Sequence, residues 1–166
     1  MERHYWLAGL ALAALFASEG CATTYAYHFD LTDPRAHEGG RPGSRDTVDD
    51  PDVSVAIELE PLGAAAVLLE VTNKTDQVLQ VDWAQIAMRH PNGATSSLRP
   101  DGDLGWILPG TKQAAWLSPF VLPTQGVAAA AYNGQQLELV VPMTVRRETR
   151  VYRYPIVVRA QPREGA

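Results

Sequence analysis

The chain has 166 residues, 46% hydrophobic and 20% charged, with a formal charge of -5. That length and apolar content suit one globular domain with its own core and exclude global disorder. The acidic balance argues against an electrostatic nucleic-acid surface, and the single cysteine, Cys21, excludes an intramolecular disulfide or a Cys-based zinc site.

Residues 6–17 form an uncharged apolar run of twelve residues behind Arg3. A bilayer-spanning helix needs roughly 20 such residues, so the run fits the apolar core of a secretory signal better than a permanent span. Ser18, Glu19, Gly20, Cys21, Ala22 and Thr23 follow it. Here the chain resembles a bacterial lipoprotein precursor, a class in which a small residue precedes an obligatory cysteine. Gly20 and Cys21 match that pattern, while Ser18 stands in place of the usual leucine. The resemblance implies a signal peptide over residues 1–20, removed in maturation. It further implies acylation of Cys21 as the new N-terminus, with a lipidated stretch over 21–24. Ala22 after the cysteine implies export to the outer membrane, facing the periplasm, rather than retention at the inner membrane.

Beyond the anchor, Tyr25, Tyr27, Phe29 and Leu31 alternate with smaller or polar residues, which predicts a first strand directly behind Cys21. Residues 32–52 carry Asp33-Pro34, Gly39-Gly40, Pro42-Gly43 and several carboxylates, and predict a long polar loop. Asp46, Asp49, Asp50 and Asp52 cluster there without EF-hand spacing, so a solvated loop is favoured over calcium binding. Val53, Val55, Ile57 and Leu59 predict a half-buried strand. Residues 65–88 read as a hairpin: Val67, Leu69 and Val71 alternate, Asn73-Lys74-Thr75-Asp76 breaks the run, and Leu79, Val81 and Trp83 alternate again. A turn at Pro91-Asn92-Gly93 predicts a second pair, with a return strand over 94–98.

Residues 106–123 combine Trp106, Trp116 and Phe120 with Pro109, Pro119 and Pro123. Prolines keep this stretch from being a central strand throughout, and its apolar side chains are expected to close one end of the core. If some stay exposed, Trp106, Trp116 and Phe120 are the candidate partner or ligand patch. Residues 127–132 and 137–145 read as a strand pair around Asn133-Gly134. Tyr152, Tyr154, Ile156 and Val158 mark a last strand carrying Arg150, Arg153 and Arg159, a basic stripe on an edge or outer face, with protection of a sheet edge favoured over anion binding. Residues 161–166 read as a frayed tail.

The sum is an all-β domain over residues 25–160, a two-sheet sandwich of immunoglobulin-like or transthyretin-like type with seven to nine strands. No nucleophile elbow, paired histidine spacing or phosphate loop is present, and Glu58 and Glu60 have nothing to split their pKa values. The expectation is therefore a non-enzyme without cofactor or metal. Its partners would be the membrane, through the N-terminal lipid, and an envelope protein, as in an accessory subunit of an envelope or secretion assembly. The alternative is a small-ligand or carbohydrate-binding module using residues 106–122.

Overall fold

The computed structural model describes residues 23–37, 45–59, 65–102 and 104–163. The expected signal segment, Cys21, the turn at 61–63 and residues 164–166 lie outside them.

Two antiparallel sheets enclose one core. In the first, β1 (Tyr25–Leu31) lies beside β12 (Glu148–Pro162), then come β11 (Gln136–Val145), β7 (Ala87–Arg89) and β8 (Thr95–Ser97). The two-residue β6 (Gln80–Val81) pairs with the far end of β11. The second sheet runs β2 (Ala36–His37), β3 (Asp46–Asp49), β4 (Val53–Leu59), β5 (Ala65–Asn73), β10 (Lys112–Phe120) and β9 (Arg99–Pro100). This is the all-β two-sheet sandwich that the alternation predicts. Seven of the twelve strands have four or more residues; the others are short pieces with too few residues to show a period.

Period two decides what is inside. Val53, Val55 and Ile57 of β4 and Val67, Leu69 and Val71 of β5 are all buried, with Val55 beside Val71 and Ile57 beside Leu69. Leu137, Leu139, Val141, Met143 and Val145 of β11 and Tyr152, Tyr154, Ile156 and Val158 of β12 form the opposing wall. Pro142 sits within β11, where a missing N–H would normally break a ladder. Its carbonyl accepts from the Asp82 amide at 2.9 Å, so its nitrogen points to the same side, between β6 and β7, where the sheet is already interrupted.

Four expectations are corrected. Residues 65–88 are not a hairpin: β5 pairs with β4 and β10, whereas Val81 pairs with Met143 of the opposite sheet. Residues 32–52 are not loop throughout, because β2 and β3 add two short strands to the edge of the second sheet. Asp33 helps hold that edge, accepting from the Arg35 guanidinium at 2.7 and 2.9 Å. Residues 126–130 form a helix, α1 (Gly126–Ala130), rather than a strand. Gly126 enters it at φ 65, and the run of alanines behind it has the highest helix propensity of any residue type. Finally, Gln161 and Pro162 are not frayed, since they continue β12 opposite Ala26 and Tyr25.

The long strand β12 sets the axis of the molecule. Thr23, α1 and Arg163 lie at one end of it, where the Arg163 amide donates to the Thr24 carbonyl and the Gly126 amide to that of Thr23. The Arg146-Arg147 turn lies at the other end. The twelve residues of strand from Val151 to Pro162 span roughly 35 Å.

Candidate functional site

Near the Arg146 end, Leu79 and Ile107 exchange both backbone hydrogen bonds, at 3.0 and 2.8 Å, and both side chains are fully buried. Alternation therefore turns their neighbours outward: Val78, Trp106 and Leu108 are 41%, 63% and 58% exposed. Antiparallel pairing sets Val78 opposite Leu108 and Gln80 opposite Trp106. Three large apolar side chains thus share one solvent-facing ledge with Gln80.

The ledge stands on a buried polar support. Asn73 has no exposed surface; its amide nitrogen donates to the Gln77 carbonyl at 2.7 Å and to the Ile107 carbonyl at 2.9 Å. Its carbonyl oxygen accepts from the Thr75 amide and hydroxyl at 2.9 and 2.8 Å. All the hydrogen-bonding capacity of the amide is used, which fixes the loop that carries the chain from one sheet to the other. Asn73 also opens an Asn-x-Thr sequon, but its side chain is closed to any modifying enzyme in the folded state.

The residues expected to form one patch do not do so. Trp106 is on the ledge. Trp116 is half-buried on the outer face of the second sheet, opposite Leu68, since its neighbours Ala115 and Leu117 face the core. Phe120 is a correction: it is fully buried, because a register irregularity between Leu117 and Phe120 turns its ring inward.

Phe120 belongs to an aromatic ring of rings that sequence reading missed. Tyr27, Phe29, Phe120, His90 and Tyr132 contact one another in a closed cycle, with centroids 6.1–6.5 Å apart. The cycle closes the α1 end of the core. The Tyr27 hydroxyl donates to the Pro123 carbonyl and approaches the Ala129 carbonyl at 3.3 Å, tying α1 and its lead-in to β1. His90 meets the Ser96 hydroxyl at 2.8 Å through Nε2, and burial pushes its pKa below the usual histidine range. The signal was the placement of aromatic residues near turns, but period and spacing do not show that five distant positions converge.

Many of the charged groups pair with one another. Asp52 accepts from Arg146 at 3.1 Å and Arg150 at 3.0 Å, and Asp50 pairs with Arg35. Lys74 reaches Asp49 at 3.2 Å. Arg153 pairs with Glu138 at 2.7 Å and Arg159 with Asp30. Glu58 is bound by Arg45 at 3.2 Å. Among the described residues no three His, Cys, Asp or Glu side chains gather as a metal site. Two surface depressions, of about 300 and 380 Å³, are lined around Tyr132 and around Trp83 and Leu104, away from Trp106, Trp116 and Phe120.

No family model matches the chain, and no curated protein matches it. Among solved structures, the GAE domain of GGA2p from Saccharomyces cerevisiae is similar at 12% identity with a TM-score of 0.34, covering 72% of this chain and 98% of that one.

Proposed function

We propose that this protein is a lipid-anchored envelope protein, held through Cys21, that works by protein contact and not by catalysis. The observation that carries the contact is the ledge of Val78, Trp106 and Leu108, apolar side chains held outward on a hydrogen-bonded backbone pair. Rigid, exposed tryptophan with aliphatic neighbours is the composition of interaction surfaces. The anchor is supported by the position of the chain's one cysteine at the end of the apolar run, two residues before Thr23, whose carbonyl accepts from the Gly126 amide of α1.

The same distribution sets the orientation. The ledge lies at the opposite end of the sandwich from Thr23, so a chain tethered at Cys21 presents Trp106 away from the bilayer. The reading of residues 106–122 as a ligand or carbohydrate site has less support, because Phe120 is fully buried and Trp116 lies on the outer face of the second sheet rather than on the ledge with Trp106.

A photo-cross-linking side chain at position 108, in the full chain expressed in its envelope, tests the contact. A discrete adduct, lost on Trp106→Ala and absent from a probe at the exposed Val151, is expected. Equal, diffuse labelling from positions 108 and 151 would overturn it.

A further inference from the structure

The end of the sandwich opposite the ledge has the composition of a surface meant for something other than water. Residues 113–137 contain no Asp, Glu, Lys or Arg, in a chain that is 20% charged. Part of this stretch is β10, but residues 121–135 form the lead-in to α1, the helix itself and the turn beyond it. There Val127 is 87% exposed, the most exposed large hydrophobic of the described residues, and Val121 is 63% exposed. Neither packs on the core, and no charge flanks them in sequence.

The backbone at this end is tied to the start of the domain. Thr24 bridges Gln125, the Gly126 amide donates to the Thr23 carbonyl at 3.0 Å, and the Tyr25 amide donates to the Thr124 carbonyl at 2.8 Å. Only Ala22 separates Thr23 from Cys21. Two extended residues reach about 7 Å, so an acyl group on Cys21 cannot leave the neighbourhood of α1.

We infer that the α1 end of the sandwich rests directly on the lipid surface, with Val127 and Val121 entering the headgroup and upper acyl region beside the acylated cysteine. This rests on the lipid-anchor reading and goes beyond it: the domain is docked on the bilayer rather than held off it by a flexible leash. Two acyl chains make the anchoring stable, and a short tether then holds these side chains at high local concentration against the membrane. Arg163, exposed and hydrogen-bonded through its backbone to Thr24, supplies a cation at the same end for anionic headgroups. The charged clasp around Asp52 and the Trp106 ledge, at the other end, stay in water.

The test uses full-length chains carrying Val127→Cys or Val151→Cys, purified from the membrane fraction, labelled with an environment-sensitive dye and reconstituted into phosphatidylethanolamine–phosphatidylglycerol vesicles. Both positions are exposed, so neither substitution threatens the fold. Intact mass first establishes acylation at Cys21. The expected result is blue-shifted emission at position 127 and several-fold protection from aqueous iodide, with position 151 fully quenched. An acylated protein whose position 127 is quenched as readily as 151 overturns the docking and leaves the anchor standing. A chain recovered without acyl mass at Cys21 overturns both.

Discussion

The side-chain amide of Asn73 donates to the main-chain carbonyl of Ile107 at 2.9 Å, across a sequence separation of 34 residues. Asn73 ends β5 in the second sheet, and Ile107 is bridged to Leu79 just ahead of β6 in the first. One buried amide therefore closes the Arg146 end of the sandwich and sets the height of the Trp106 ledge.

Asn73→Ala leaves the Ile107 and Gln77 carbonyls and the Thr75 amide without this partner. The Ile107 carbonyl keeps the Leu79 amide and the Gln77 carbonyl keeps the Thr75 hydroxyl, so the Thr75 amide alone is left unpaired, at about 1–3 kcal/mol, and the two lost bonds to the carbonyls add to that. A loss of about 2–4 kcal/mol is expected in urea denaturation. Asn73→Asp is expected to be no milder, because a carboxylate has no hydrogen to donate to either carbonyl.

Phe120 and Trp106, candidates for one patch on sequence grounds, should behave oppositely. Phe120→Ala removes a fully buried ring from the aromatic cycle and is expected to cost about 3–5 kcal/mol. Trp106→Ala, on the exposed ledge, is expected to change stability by about 0.5 kcal/mol or less. Thermal unfolding of the two variants checks the split. Equal effects would contradict the placement of Phe120 in the core.

His90 should make stability fall in mild acid. Burial lowers its folded pKa, while the unfolded chain keeps the ordinary value near 6.5. Above that value both states are neutral and the group adds no pH dependence. As pH falls through about 6.5, the unfolded state takes up a proton that the folded site resists, so stability drops. The ring faces Ser96, Tyr132 and Phe120. Stability measured between pH 7.5 and 5.5 should decline, and His90→Gln should flatten that part of the curve.

The β11–β12 hairpin turns on Arg146 and Arg147, with φ of 50 and 68. Both lie in the left-handed region that a two-residue type I′ turn requires and that favours glycine or asparagine. A side chain there costs about 1–2 kcal/mol, and glycine returns about 0.5–1 kcal/mol of that as unfolded-state entropy. Arg147→Gly is therefore expected to stabilise by about 0.5–1 kcal/mol. Arg146→Gly should gain less, because it also gives up the ion pair with Asp52. Paired denaturation curves read the difference.

What was legible in the sequence was which side chains go inside. Leu79, Val81 and Trp83 alternate, and all three are buried as the alternation requires. Their neighbour is another matter: period two identifies a buried face but not the strand beside it, and these residues meet Ile107 and Met143 instead of β5. The hydrogen bonds of Asn73 that divert the chain come from tertiary partners. Residues 127–132 depart from the expected strand for a different reason. An alanine run has no amphipathic contrast, so propensity and the positive φ of Gly126 decide for helix where pattern is silent. At the site, exposure of Trp106 and burial of Phe120 both follow from pairing with elements far along the chain. The Cys21 reading, by contrast, rests on a local signal of about two dozen residues and lies outside the described residues.

The most direct measurement is the intact mass of the protein recovered from the membrane fraction, beside a Cys21→Ser variant. A chain beginning at Cys21 with added acyl mass, absent from the variant, is the expected result. An unmodified chain, cut at another position and recovered from the soluble fraction, would contradict the anchored reading and with it the orientation of the Trp106 ledge.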